Sequence, residues 1–506
     1  MEIRKEKLSG AFLGIVSVAA GLAGAQLIAS FGTILKNPIV SLGNRIIDHV
    51  PFSIKEFAIR AFGTNDKIAL VIGILIVLLA LSAQIGKFYF FGSQKKAYLL
   101  IYSLVLISAI ASIFDAGANP LSLLPSIVAG LVTVLTLRLF EKKSITSEIG
   151  EIGWDRRELF KTIGIVGASS VVATSVGRFF QSHASAQLQR LSIILPRPLR
   201  FLPKPPTDPA LTTPGLSTLF TSNEDFYRID TAISVPNIDV ATWRLKIGGF
   251  VNNPLEFTYQ ELSAMPLFEL DGTIACVSNE VGGTLVGNAR WLGVRLDELI
   301  KKAQPSSTAD QIMGYSSDGF SAGFPLAALD GRDAMIAIGM NGEPLPLEHG
   351  FPARIIVPGL YGYVSATKWL TYIELTRFDK KQGYWVPRGW SAQAPIKTQS
   401  RIDTPQNGSN ISASNVAIAG VAWAPIRGIT RVEVRVNNEP WRDATLGPEL
   451  AKTTWRQWWI DWNATPGHAS ISVRATDGTG LTQSSNIVPI APNGAEGWHT
   501  IRVSVN

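Results

Sequence analysis

The chain has 506 residues and a net charge of +7, and its basic residues are dispersed, with no dense Lys/Arg stripe interleaved with aromatics. Nucleic-acid binding therefore has little support. A single cysteine excludes an intramolecular disulfide and any multi-thiolate zinc or iron–sulfur centre. The length suggests about three domains, and the texture changes near residue 180, from long apolar runs to Gly- and Pro-punctuated soluble sequence.

Four stretches carry no charge: Leu8–Leu35, Ile68–Gly86, Ala97–Phe114 and Ala116–Leu137. About 20 apolar residues cross the hydrocarbon core, so residues 1–140 read as a four-helix transmembrane region. Basic residues set the orientation. Arg4, Lys5 and Lys7 precede the first stretch, Lys87, Lys95 and Lys96 join the second to the third, and Arg138, Lys142 and Lys143 follow the fourth. The amino terminus and residues 138–161 are thus expected in the cytoplasm. The amphipathic segment Phe52–Phe62 is expected to lie in the membrane interface.

Residues 141–182 contain Trp154-Asp-Arg-Arg-Glu-Leu-Phe-Lys161 and then the charge-free Thr162–Gly177. An Arg-Arg pair alone ordinarily marks a charged helix end. In this order it looks like a twin-arginine export signal. Ala184-Ser-Ala186 lies well past the apolar run, so the segment is expected to stay uncleaved as a fifth anchor. Everything beyond it then lies on the extracytoplasmic side of the cell membrane. That route carries proteins already folded, commonly around a cofactor.

Residues 183–222 hold seven prolines, among them Pro196, Pro205 and Pro214, and read as a stiff tether. From 223 to 392, strand-like runs (Trp243–Ile247, Ala353–Val357, Leu370–Leu375) mix with short helices such as Leu296–Ala303, which predicts an α+β domain. From 393 to 506, Val416–Trp423, Ile429–Val436, Trp455–Trp462 and Ala469–Ala475 alternate with turns, as in an immunoglobulin-like β-sandwich without its disulfide.

Taken by itself, Cys276 is an inert buried thiol, a nucleophile or one soft ligand to a metal held mainly by something else. The first is the commonest case. Its surroundings, Cys276-Val-Ser-Asn-Glu-Val-Gly-Gly283, together with His349-Gly-Phe-Pro-Ala-Arg354, Val357-Pro-Gly359 and Ser365-Ala-Thr-Lys-Trp-Leu370, resemble the sulfite oxidase family of molybdopterin enzymes. The resemblance covers about residues 220–506 and includes a carboxy-terminal sandwich similar to that family's dimerisation domain, which implies a possible homodimer. The front end resembles a membrane-anchored prokaryotic branch.

That resemblance implies one molybdenum held by molybdopterin, oxo groups and the thiolate of Cys276, a soft donor that binds deprotonated. It places Asn223, His349, Arg354, Ser365 and Lys368 on the pterin, and Thr367 shares the role of Ser365 because the loop Tyr361–Lys368 is a residue longer than in animal sulfite oxidases. Arg354 suits bidentate contacts and Lys368 a point charge. Gly359 and Gly362 let backbone N–H groups approach the phosphate. Over the metal, Tyr384 is the nearest counterpart of the family's active-site tyrosine, and Arg388 either restores positive charge or is a surface arginine. Animal and plant relatives carry Ala-Gly-Asn-Arg-Arg after the ligand cysteine. Here Val277-Ser-Asn-Glu-Val281 stands in its place, and Ser222 replaces an arginine before the pterin-binding asparagine. Lost cations and the added Glu280 disfavour a sulfite dianion.

The expected function is a membrane-anchored oxidoreductase that transfers an oxygen atom on a sulfur-type substrate, sulfite by default. A reductase of S-oxides or N-oxides is the alternative. A non-catalytic binding or assembly module retaining the fold is the alternative of another class. The two electrons of oxygen-atom transfer require an external redox partner, a cytochrome or a quinone-linked one. None of the five histidines, His49, His183, His349, His468 and His499, falls within a span, so no haem is expected within the chain.

Overall fold

A computed structural model describes residues 2–506 apart from 33–34, 52–53, 55–56, 59–60, 63–65, 116–117, 143, 147–151, 155, 184–185, 200 and 206–212. The chain divides into two compact units, residues 1–188 with 231–237, and residues 189–230 with 238–506.

The first unit is helical: α1 (Glu2–Ala29), α2 (Pro38–His49), α3 (Asp66–Phe91), α4 (Gln94–Ile113), α5 (Leu124–Lys142) and α6 (Arg156–His183). By length and composition, Gly10–Ala29, Asp66–Phe91, Gln94–Ile113 and Pro120–Lys142 are each able to cross a membrane. They coincide with the four charge-free stretches, the first ending earlier than expected. The apolar part of α6, Lys161–Val176, is shorter than those four. The segment Phe52–Phe62 lies mostly outside the described residues, as does most of Ala184–Ala186.

Small residues let α1 and α3 touch backbone to backbone. A Cβ added at Gly14 would lie 2.2 Å from Ser82 O, and one at Gly86 would lie 2.0 Å from Gly10 O. Glycines four residues apart on one helix permit this approach where no hydrophobic force separates helix from lipid. Leu13, Ile85, Tyr89, Ile101, Leu137 and Phe140 fill the core between the helices. Ile72, Ile76, Val77 and Leu79 on α3 are exposed, the pattern of a surface that meets lipid. At the end of α4, Ser41 Oγ donates to Asp115 Oδ2 at 2.5 Å and an Arg45 Nη donates to Phe114 O at 2.7 Å, which satisfies a carbonyl the helix leaves open.

At the start of the second unit, Arg190, Leu199 and Pro203 are fastened along the sheets. Arg190 bonds Glu343 at 2.7 Å and the carbonyls of Pro344 and Leu345, Leu199 N–H donates to Leu267 O, and Arg290 reaches Pro203 O. Two sheets follow, built from β1 (Arg244–Gly249), β2 (Leu255–Thr258), β3 (Leu267–Ala275), β4 (Val286–Arg295), β5 (Gln311–Ser316), β6 (Ser321–Pro325), β7 (Met335–Met340), β8 (Glu343–Pro344), β9 (Arg354–Ile356) and β10 (Leu370–Thr376). One sheet has the order β8-β7-β4-β3 with β9 also on β7, and the other β2-β1-β10-β5-β6. All pairs are antiparallel except β1 with β10. The helix Leu296–Ala303 forms as its sequence predicts. It buries Leu296, Leu299, Ile300 and Ala303, one face at helical spacing, and stops at Gln304, whose φ of 55° is left-handed.

Residues 399–505 form two further antiparallel-rich sheets. β11 (Gln399–Thr404), β12 (Asn415–Trp423) and β13 (Arg456–Asn463) are central to one. β14 (Ile429–Val436), β15 (Gly467–Asp477) and β16 (His499–Val505) are central to the other. Ile418, Val432, Val434, Trp458, Ile471, Val473 and Ile501 fill the space between them. Buried Asp477 ties the sandwich to its entry strand. It accepts from Thr398 Oγ1 at 2.7 Å, Arg427 Nε at 2.8 Å and Thr479. Burial alone would raise this carboxyl, but those donors outweigh it and hold it well below the carboxylate range. Asp477→Asn is expected to cost about 3 kcal/mol of unfolding stability at neutral pH, because Arg427 is left without its charge partner. A depressed folded value means the contribution is complete above about pH 4 and fades below it. Denaturant melts at pH 7 and pH 3 should therefore show the two proteins converging in acid.

Candidate active site

β3 runs, fully buried over its last six residues, directly into Cys276, the first residue of a tight loop. Cys276 N–H donates to Leu285 O at 2.9 Å, Asn279 N–H donates to Cys276 O at 3.1 Å, and Asn279 Oδ1 accepts from Leu285 N–H at 2.8 Å. These bonds close residues 276–285 into a loop held by its own side chain. Burial pushes the Cys276 thiol up, and hydrogen bonds from Ser278 pull it down. Glu280 is exposed on the turn.

Four of the expected pterin residues are drawn together by hydrogen bonds. His349 Nε2 meets Asn223 O at 2.9 Å, and Asn223 Oδ1 accepts from Asn341 Nδ2 at 2.9 Å. An Arg354 Nη donates to His349 O at 3.0 Å, and its guanidinium lies over the Trp291 ring at 5.1 Å. Lys368 Nζ donates to Asp230 Oδ2 at 2.8 Å and Glu348 O at 3.0 Å. Gly350, at φ 110°, lets these strands meet, for a Cβ there would sit 3.0 Å from Lys368 Cβ. Ser365 and Thr367 are buried in the same stretch, but Ser365 Oγ donates to the carbonyls of Leu360 and Tyr361.

The electrostatics describe a basin waiting for an anion. Burial pushes His349 down to about 4, Arg354 down to about 10 and Lys368 down to about 8. Desolvation penalises each cation, and Lys368 is paired with Asp230, which it shares with Arg228. Arg354 is 5% exposed, and among the described residues neither its Nε nor the buried Nδ2 of Asn279 has a hydrogen-bond partner. Unpaired donors of this kind are costly unless a ligand takes them. A phosphorylated, hydrogen-bond-rich pterin fits.

Comparison with known proteins identifies the family. Residues 232–385 match the oxidoreductase molybdopterin binding domain. An uncharacterized oxidoreductase, YuiH, of Bacillus subtilis is 32% identical over 152 residues, 30% of this chain and 74% of that protein. The chain belongs to the sulfite oxidase family of molybdopterin oxidoreductases. Mitochondrial sulfite oxidase of Homo sapiens is 28% identical over 327 residues, 54% of this chain. The chain spans about 60% of the length of such curated relatives. A solved sulfane dehydrogenase, SoxCD of Paracoccus pantotrophus, aligns at TM-score 0.49 and 20% identity, covering 64% of this chain and 88% of that one. Residues 399–503 match a bacterial Ig domain. As a member of this family the chain is an enzyme with a molybdenum–molybdopterin cofactor.

Tyr384 and Arg388 form a pair of their own. The Arg388 guanidinium lies 3.7 Å from the Tyr384 ring centroid and donates back to Tyr384 O, while Tyr384 N–H donates to Ser321 O on β6. The short helix Gly362–Ser365 packs on the same β6. Ser222, where relatives carry an arginine, caps its own turn through Asp225 at 2.6 Å.

Sequence reasoning missed two tyrosines. Burial pushes the Tyr227 hydroxyl up, with Cys276 adding to the rise and Arg354 opposing it. Burial likewise pushes Tyr361 up to about 12, and Cys276 contributes. It also missed Asp230, the partner of Lys368. Tyr227 and Asp230 follow Asn223 closely, but nothing in their spacing marks them.

Arg354→Met is expected to weaken cofactor retention about fiftyfold, the worth of a charged hydrogen bond of about 2–3 kcal/mol. Pterin released per folded protein, assayed as its fluorescent oxidised form, measures this. Retention equal to the parent would remove Arg354 from the cradle.

Proposed function

We propose that this chain is a membrane-anchored molybdenum oxidoreductase that moves an oxygen atom between water and a sulfur compound, with Cys276 as the metal's protein ligand. The observation that carries the reading is the hydrogen-bonded set of Asn223, His349 and Arg354, with Lys368 on Glu348 O, in a domain where β3 ends on a buried thiol. The cofactor, when bound, supplies the oxygen-atom transfer and takes up two electrons. The chain's part is to hold it. Arg354 and Lys368 neutralise its anionic end, His349 and Asn223 fix its register, and the buried β3 terminus presents the thiol in a site from which water is excluded. Tyr384 and Arg388 orient the substrate. Four apolar helices support anchoring in the cell membrane, and Arg156-Arg157 supports export of residues beyond the anchor. Electrons leave to a cytochrome or a quinone, and the Ig-like domain offers a dimer surface.

A second reading, reduction of a neutral S-oxide such as a sulfinyl side chain, is favoured by Glu280, Val281 and Ser222 in place of arginines. One panel separates the two. Sulfite oxidation by purified protein with near-stoichiometric molybdenum supports the first, and sulfoxide reduction without sulfite oxidation supports the second. Absence of molybdenum from protein made in cofactor-replete cells overturns both.

A further inference from the structure

We propose that the helical unit holds a quinone. An apolar cleft opens between α1, α2, α3, α4 and α5, and clefts between the helices of a bundle are where small-molecule sites commonly form. Leu22, Leu42 and Ile101 are typical of its aliphatic walls, and no charged side chain lines it. Three hydroxyls interrupt those walls, and two are committed to their own helices. Ser108 Oγ donates to Val105 O at 3.0 Å, and Thr133 Oγ1 to Ala129 O at 2.7 Å.

Ser126 differs. It is fully buried, it lines the cleft, and its Oγ has no partner among the described residues. It sits in the first turn of α5, where the residue four positions back, Ser122, belongs to the preceding 3₁₀ turn, so the usual bond to the i−4 carbonyl is not made. A buried hydroxyl left unpaired in an apolar wall is unfavourable.

The occupant must therefore be apolar along most of its length, uncharged, and carry an oxygen that accepts from Ser126. A quinone has a flat ring with carbonyl oxygens and an aliphatic tail. A lipid acyl chain fills the same volume but leaves Ser126 unsatisfied. The choice also suits an oxidoreductase that must pass on two electrons. A quinone that accepts two electrons and two protons becomes a quinol, with both oxygens as hydroxyls. The inference rests on the reading that this unit lies in the membrane.

The experiment uses full-length protein in nanodiscs, titrated with ubiquinone-1 and menadione and followed by quenching of tryptophan fluorescence or by calorimetry. Saturable binding at one site is expected, weakened about tenfold by Ser126→Ala, the worth of one hydrogen bond. Thr136→Ala, on α5 but outside the cleft, is expected to bind as the parent does. Non-saturable partitioning, or equal affinity in Ser126→Ala, overturns the quinone site. Carbonate washing of the membranes tests the membrane reading separately, since release of the protein overturns that reading before any quinone is added.

Discussion

Protein carrying Cys276→Ser should retain its pterin and lose turnover by at least about a thousandfold, a difference of about 4 kcal/mol in activation free energy. The substitution is nearly isosteric and the backbone around it is fixed by bonds that do not involve the side chain, from Cys276 N–H to Leu285 O and from Asn279 N–H to Cys276 O. Folding therefore gives no reason for loss. The pterin cradle is a separate construction, made by residues 349–368 with Asn223 and Asp230. What changes is the donor atom, because an alcohol oxygen is hard and stays protonated where a thiol gives a soft thiolate. Molybdenum and pterin content should be measured beside turnover on sulfite and methyl sulfoxide. Activity within tenfold of the parent would take Cys276 off the metal.

The cradle was legible because its residues sit in short contiguous phrases. His349 to Arg354 and Ser365 to Leu370 each lie within one turn-rich stretch, and the resemblance reads such phrases directly. The Ig-like strands were legible because alternation has a period of two. Ile429–Val436 begins and ends where the pattern predicts. What could not be read is everything that depends on distant pairing. Asp230 neutralises Lys368 across 138 residues. The proline-rich segment from 189 to 222 shows the same limit, since composition predicts its extension and says nothing of Arg190 finding Glu343.

The other large effect concerns how the Ig-like domain holds the ligand loop. An Arg401 Nη on β11 donates to Gly283 O at 2.9 Å, and the His499 ring on β16 covers Gly282. The orientation of His499 is set by its Nδ1, which accepts from Ile402 N–H at 3.0 Å. Gly282 has φ 79°, and a Cβ there would lie 2.2 Å from His499 Cδ2. Gly282→Ala should therefore carry two costs, about 1–2 kcal/mol for the left-handed backbone and about 1–3 kcal/mol for the clash. Both push the loop away from its seat. Because Cys276 is the only cysteine, its alkylation rate in cofactor-free protein reports that movement without interference. The rate is expected to rise about tenfold or more in Gly282→Ala, as a loop destabilised by 1.4 kcal/mol or more opens correspondingly more often. His499→Ala added to it removes the clash and keeps the backbone cost, so the double variant should label at a rate between Gly282→Ala and the parent. Arg474→Met, which breaks the pair with Glu433 in the same domain but away from the loop, should leave the rate unchanged. If Gly282→Ala labels as slowly as the parent, the sandwich does not hold the thiol in place. Additive single and double effects would instead place the whole cost in the backbone and none in His499.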